Sequence, residues 1–125
     1  MHHVHTIPID YDRLLYEKAR EKSGGTDLQL FSDYFDAQYD MLQALRPPIV
    51  GHFDLIRLLS DLRNVDMREY PSLWQKVLRN LEYVISYNGI LEINTSALRK
   101  GLNEPYPSEP ICKVSRHFQH GNASW

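Results

Sequence analysis

The chain has 125 residues, 14 Lys+Arg against 16 Asp+Glu, a formal charge of −2, and 42% hydrophobic and 24% charged residues. These are the proportions of an ordinary globular domain rather than a disordered chain, and the length favours one domain. They exclude a nucleic-acid partner held by bulk charge and, with no apolar run near the roughly 18 residues a span needs, a membrane partner.

The chain opens with His2, His3, Val4 and His5, then Thr6-Ile7-Pro8-Ile9-Asp10, a start rich in metal-binding groups. On a strand, alternation puts His3 and His5 on one face and His2 with Val4 on the other, so the three histidines cannot all face one ion. Taken locally, this segment reads equally well as an exposed, tag-like terminus. The pattern predicts a helix over Asp12–Lys22, with Leu14, Leu15, Tyr16 and Ala19 as its packing side, stopped by Ser23-Gly24-Gly25. Thr26 or Asp27 caps a second, longer helix. Its apolar positions Leu30, Phe31, Tyr34, Phe35, Met41, Leu42 and Leu45 follow helical spacing up to the Pro47-Pro48 stop. Ile49 and Val50 read as a short buried strand, followed after a polar stretch (Ser60 to Arg68) by a third helix opening at Pro71-Ser72. That helix carries Leu73, Val77, Leu78, Leu81, Val84 and Ile85 on one stripe and closes at Asn88-Gly89. Ile90 to Asn94 is a second short strand, and a turn-rich loop runs from Thr95 to Pro107. Alternating helices and short apolar strands predict a parallel α/β arrangement, with chemistry in the loops at the strands' C-terminal ends.

Three clusters are thereby singled out: His2, His3, His5 and Asp10; Gly51-His52-Phe53-Asp54 with Arg57; and Glu92 with Asn94 through Gly101. Histidine and carboxylate are the donors that borderline first-row metals prefer. A lone histidine after a strand, such as His52, is more often a hydrogen-bonded core residue than a ligand. Arg57 and Arg99, each solvated or salt-bridged by default, could as a pair grip a phosphate through bidentate forks. Glu92 and Asn94 share one face of their strand and, if buried, require polar partners or substrate.

The segments 2–10, 50–57 and 91–101, extended by Glu104-Pro105-Tyr106-Pro107, resemble the histidinol-phosphatases of the PHP (polymerase and histidinol phosphatase) family, fungal type. The resemblance covers residues 2–113. It implies that 1–113 are part of a distorted parallel (β/α) barrel and that 114–125 form a divergent tail. It further implies a cluster of up to three divalent ions (zinc, iron, manganese or magnesium) and hydrolysis of L-histidinol phosphate, a step of L-histidine biosynthesis. His2 and His52 carry over as metal ligands, with His3 and His5 behind them. Arg57 and Arg99 carry over as the phosphate-gripping arginines. Asp10, Glu92 and Asn94 match recurrent family positions as substrate contacts or supports of the ligands, and no single catalytic acid or base is assigned.

Two of the family's features are missing: its first His-x-His with the ligands that follow, and the Asp-x-His pair beyond Lys113. Met1 takes the place of a valine before His2. A barrel takes about 200 residues or more, so a fragment truncated at both ends and poorly active by itself is expected. The tail's His117 and His120, at helical spacing, have at most a minor claim to a metal. The lone Cys112 cannot form an internal bridge, which fits a reducing, cytoplasmic setting, as does a start that is no secretory signal. Two further readings stand: a related phosphoesterase with another substrate, and a non-catalytic fragment whose amphipathic helices (26–45 and 71–87) bind a partner.

Overall fold

The computed structural model describes residues 3–9, 12–51, 53–57, 59–60, 65–92, 110–111 and 113. Its N-terminal strands, β1 (His3–Val4) and β2 (Ile7–Pro8), pair antiparallel, with His3 opposite Pro8 and Val4 opposite Ile7. His5 (φ 53°) and Thr6 (φ 65°) make the turn between them. Two central residues at positive φ are the signature of a type I′ hairpin, whose twist suits the flanking strands. The strand expected to run through His5 ends at Val4, so His5 lies in the turn rather than in a strand.

Helix α1 (Arg13–Lys22) begins where Asp12 Oδ1 accepts a 2.8 Å hydrogen bond from the Leu15 amide. It ends in a Schellman pair, Gly24 N–H to Glu21 O (3.1 Å) and Gly25 N–H to Arg20 O (2.9 Å), with both glycines at positive φ. Tyr16 and Ala19 are its buried side; Leu14, expected to pack, is 65% exposed. Thr26 caps helix α2 (Asp27–Leu45) through the Gln29 amide (3.1 Å), and the left-handed Arg46 closes it ahead of the prolines. Leu30, Phe31, Tyr34, Phe35 and Leu42 are buried as predicted, whereas Leu45 lies past the packed stripe and is exposed.

Strand β3 (Ile49–Val50) leads into a 3₁₀ turn at Leu55–Arg57. A second 3₁₀ turn, Met67–Glu69, buries Met67 within the stretch read as polar. It precedes helix α3 (Pro71–Ser86), whose proline sits in the first turn, where no amide proton is needed. The C-terminal motif of α3 places Asn88 in the left-handed region (φ 65°), with Asn88 N–H to Ile85 O (3.0 Å) and Gly89 N–H to Val84 O (2.8 Å). Gly89 is needed for closeness: a Cβ there would sit 2.7 Å from Val84 Cγ1 and 2.8 Å from the Tyr87 ring.

Strand β4 (Ile90–Leu91) then pairs parallel with β3, Ile49 against Ile90 and Val50 against Leu91. A parallel pair joined through a helix is the expected βαβ logic. β3 is not buried throughout as predicted: Ile49 is 59% exposed, as is Ile90 of β4, and Val50 is the strand residue that enters the core there. Among the described residues the strands form two two-stranded sheets, and the helices supply most of the core. The main helical contact is α2 on α3, where Asp36 of α2 meets Lys76 Nζ (2.6 Å) and Arg79 Nη2 (3.2 Å) of α3. Ile111 also joins the core. No described helix is long and apolar enough to cross a membrane.

Candidate functional site

Parallel pairing aligns the C-terminal ends of β3 and β4, because Ile90 N–H donates to Pro48 O and Glu92 N–H to Val50 O, both at 2.9 Å. Glu92 thus lies alongside Gly51. A Cβ on Gly51 would stand 3.4 Å from Glu92 Oε1, so the carboxylate lies in contact range of that position. Glu92 is exposed, not buried as a strand interior would have required. Two of the three sequence clusters therefore meet at one strand end.

The turn after β3 is held from several directions. The Phe53 carbonyl accepts two hydrogen bonds from α2, from Gln38 Nε2 at 2.8 Å and Tyr34 Oη at 3.1 Å. Asp54 and Arg57 are both 0% exposed, with Asp54 Oδ2 2.7 Å from Arg57 Nε. Further on, Arg13 of α1 donates to the Leu59 carbonyl, and Tyr16 hydrogen-bonds both Asp27 (2.6 Å) and the buried Ser60. Burial pushes the Tyr16 phenol well above its ordinary pKa, and the hydrogen bond and charge of Asp27 add to the shift.

His5 stands apart from this arrangement. Its Nε2 lies 2.8 Å from Ser23 Oγ and 3.3 Å from Asp33 Oδ2, tying the hairpin turn to the α1–α2 corner. That nitrogen is occupied by protein groups. The backbone of His3 lies in β1. His2, Asp10, His52, Asn94 and Arg99 lie outside the described residues, as do Cys112, the 95–107 loop and the tail from 114 with His117 and His120.

The PHP domain matches residues 1–96. The chain belongs to the PHP domain family. It is similar to the "Probable histidinol-phosphatase" of Schizosaccharomyces pombe, 45% identical over 91% of this chain and 38% of that protein. It is also similar to the "Histidinol-phosphatase" of Saccharomyces cerevisiae, 37% identical over 94% of this chain and 41% of that protein. This PHP chain therefore spans about two fifths of the length of these curated relatives. No solved structure matches.

PHP phosphoesterases are generally metal-dependent, so the donors of this PHP chain bear on a divalent ion. The exposed Glu92 carboxylate at the strand end is the hard oxygen donor such an ion accepts. No group of three or more His, Cys, Asp or Glu side chains gathers among the described residues. Within them the fit rests on Glu92 alone.

Sequence reasoning passed over Gln38, Asn80 and Ser60, all buried polar residues. A signal was available for two of them. Gln38 falls between Tyr34 and Leu42 on the α2 stripe, and Asn80 between Val77 and Val84 on the α3 stripe. An amide in the middle of an apolar stripe has to find hydrogen-bond partners.

Proposed function

We propose that this chain is a segment of a metal-dependent phosphomonoesterase that converts L-histidinol phosphate to L-histidinol and phosphate, in the cytoplasm. One observation carries the reading. The block around Gly51-His52-Phe53-Asp54 and the block beginning at Leu91-Glu92, both part of the resemblance, converge at neighbouring parallel strand ends. Two relatives named for that activity support the substrate. In this reading β3 and β4 are adjacent strands of a (β/α) barrel.

His2 and His52 would hold the divalent ions, with His3 as a lesser candidate and Glu92 adding a carboxylate; Asp10 and Asn94 serve as supports. Bound there, the metal would supply an activated water for attack at phosphorus. The chain's own part is to place the ester. Arg57 and Arg99 would offer forked donors to the phosphoryl oxygens; Arg57 is 0% exposed against Asp54, so an ester would have to displace the groups that cover it. Because Arg57 is already charge-paired, it contributes orientation more than net positive charge. His5, committed to Ser23 and Asp33, is the weakest of the candidate ligands.

The test has two arms: phosphate release from a phosphomonoester panel, with zinc, manganese, iron or magnesium added, by this chain alone, and by a chimaera carrying residues 1–113 in place of the matching segment of the S. pombe relative. Little turnover is expected from the chain alone. The chimaera is expected to prefer L-histidinol phosphate, and to lose turnover with Arg57→Ala or Arg99→Ala. A folded chimaera that prefers another ester refutes the substrate, and robust turnover by the chain alone refutes the expectation of a partial site.

A further inference from the structure

Two buried amides and a phenol connect α3, α2 and the turn after β3. Asn80, 0% exposed on α3, donates through Nδ2 to Phe35 O (2.8 Å) and to Gln38 Oε1 (3.0 Å). Gln38, 1% exposed, then donates through Nε2 to Phe53 O, where the Tyr34 hydroxyl donates as well. The outer end is Arg79, whose Nε donates to Asn80 Oδ1 at 3.0 Å. Each amide is polarised by the one before it, and buried chains of this kind strengthen in a low local dielectric. A carbonyl oxygen has two lone pairs, and Phe53 O has a donor for each. The plane of the Phe53–Asp54 peptide is therefore fixed from α2. That peptide immediately precedes the Asp54–Arg57 pair, and the Arg57 amide donates back to Asp54 O at 3.2 Å.

We propose that Gln38, with Asn80 behind it and Tyr34 beside it, is a positioning residue that orients the 53–57 turn and thereby the Asp54–Arg57 pair for a phosphate ester. The link to phosphate rests on the function proposed above; the link to the turn does not. None of the three residues touches substrate. Their effect on the turn is exerted through the Phe53 carbonyl.

The experiment uses the 125-residue chain and three variants: Gln38→Met, which keeps length and removes the amide; Tyr34→Phe, which removes only the hydroxyl; and Val77→Ala, which loosens the same helical core away from the network. Hydrogen exchange is followed by residue, and inorganic phosphate binding by titration. Gln38→Met is expected to speed exchange of the 54–57 amides at least tenfold, and Tyr34→Phe about threefold, while the α1 amides hold their parent rates. Val77→Ala, at similar overall stability, should leave the 54–57 amides at parent rates. Phosphate affinity should drop severalfold in the first two variants and stay unchanged in the third. Unchanged 54–57 exchange in both Gln38→Met and Tyr34→Phe overturns the proposal, as does an equal rise throughout α1, α2 and α3. A parent chain that binds no phosphate refutes the role given to Arg57, and the exchange pattern still decides the role given to Gln38.

Discussion

Replacing Asp54 by Asn keeps the side chain's size and removes its charge, taking from the fully buried Arg57 guanidinium the carboxylate that lies 2.7 Å away. In the parent the two charges are 2.7 Å apart and both 0% exposed, so water screens neither. Breaking a buried pair from one side costs about 3–5 kcal/mol, against a total of about 5–15 kcal/mol for a typical domain. With a urea slope of about 2 kcal/mol per molar, the unfolding midpoint of Asp54→Asn should fall by about 2 M. The double variant Asp54→Leu/Arg57→Met removes both charges and should recover most of that loss, since well-packed apolar replacements of buried pairs are often neutral. Denaturation followed by circular dichroism, at low and high salt, measures all three. A single-variant midpoint within about 0.3 M of the parent, or a loss that salt abolishes, would show the pair behaving as a surface bridge worth under about 1 kcal/mol, and the reasoning from burial would fail.

Other outcomes follow from the caps and the titrating groups. Gly89→Ala forces a Cβ to within 2.7 Å of Val84 and should cost about 1–3 kcal/mol. Gly25→Ala meets open space and should cost only the left-handed backbone term of about 1–2 kcal/mol; equal thermal shifts would contradict this ranking. The Arg68 guanidinium holds the Asp66 carboxyl below the usual carboxylate range. The pair's stabilisation is therefore present above the ordinary carboxylate pKa and lost as pH falls through the depressed one. Because that pair is exposed, Asp66→Asn should cost under about 1 kcal/mol at pH 7 and nothing in strong acid, which urea midpoints at the two pH values check. The raised Tyr16 pKa has the opposite sign: its contribution is full below the ordinary phenol range and is lost as pH rises from there through the raised value. Tyr16→Phe should thus flatten the alkaline side of the stability profile, and a parallel decline of parent and variant would count against it.

The helices were legible because each carries its own signals. Asp12 and Thr26 cap, Pro71 starts, and Gly24-Gly25 and Asn88-Gly89 stop, all through local backbone chemistry. The parallel relation of β3 and β4 was legible too, from strands separated by a helix. The His5-Thr6 turn was not, since neither residue type announces positive φ and the histidine run pointed to metal binding instead. Burial was misjudged where periodicity outran packing: Leu14 and Leu45 satisfy helical spacing but face away from α2–α3. At the site, sequence named the strand ends where Gly51 and Glu92 adjoin, but not what holds the turn after β3. Gln38 and Asn80 act across about 40 residues of chain, and no local pattern reports a partner that distant.

The Asn80–Gln38 bond also bears on how α2 and α3 find each other. Apolar stripes tolerate sliding, because one leucine can replace another in a groove. An amide donor facing an amide acceptor cannot slide. A shift of α3 by one turn would strand Asn80 Nδ2 and Gln38 Oε1 in apolar surroundings, each at a cost of about 1–3 kcal/mol. The two side chains thus act as a key for the register of the helix pair, selecting one alignment from several of similar greasiness.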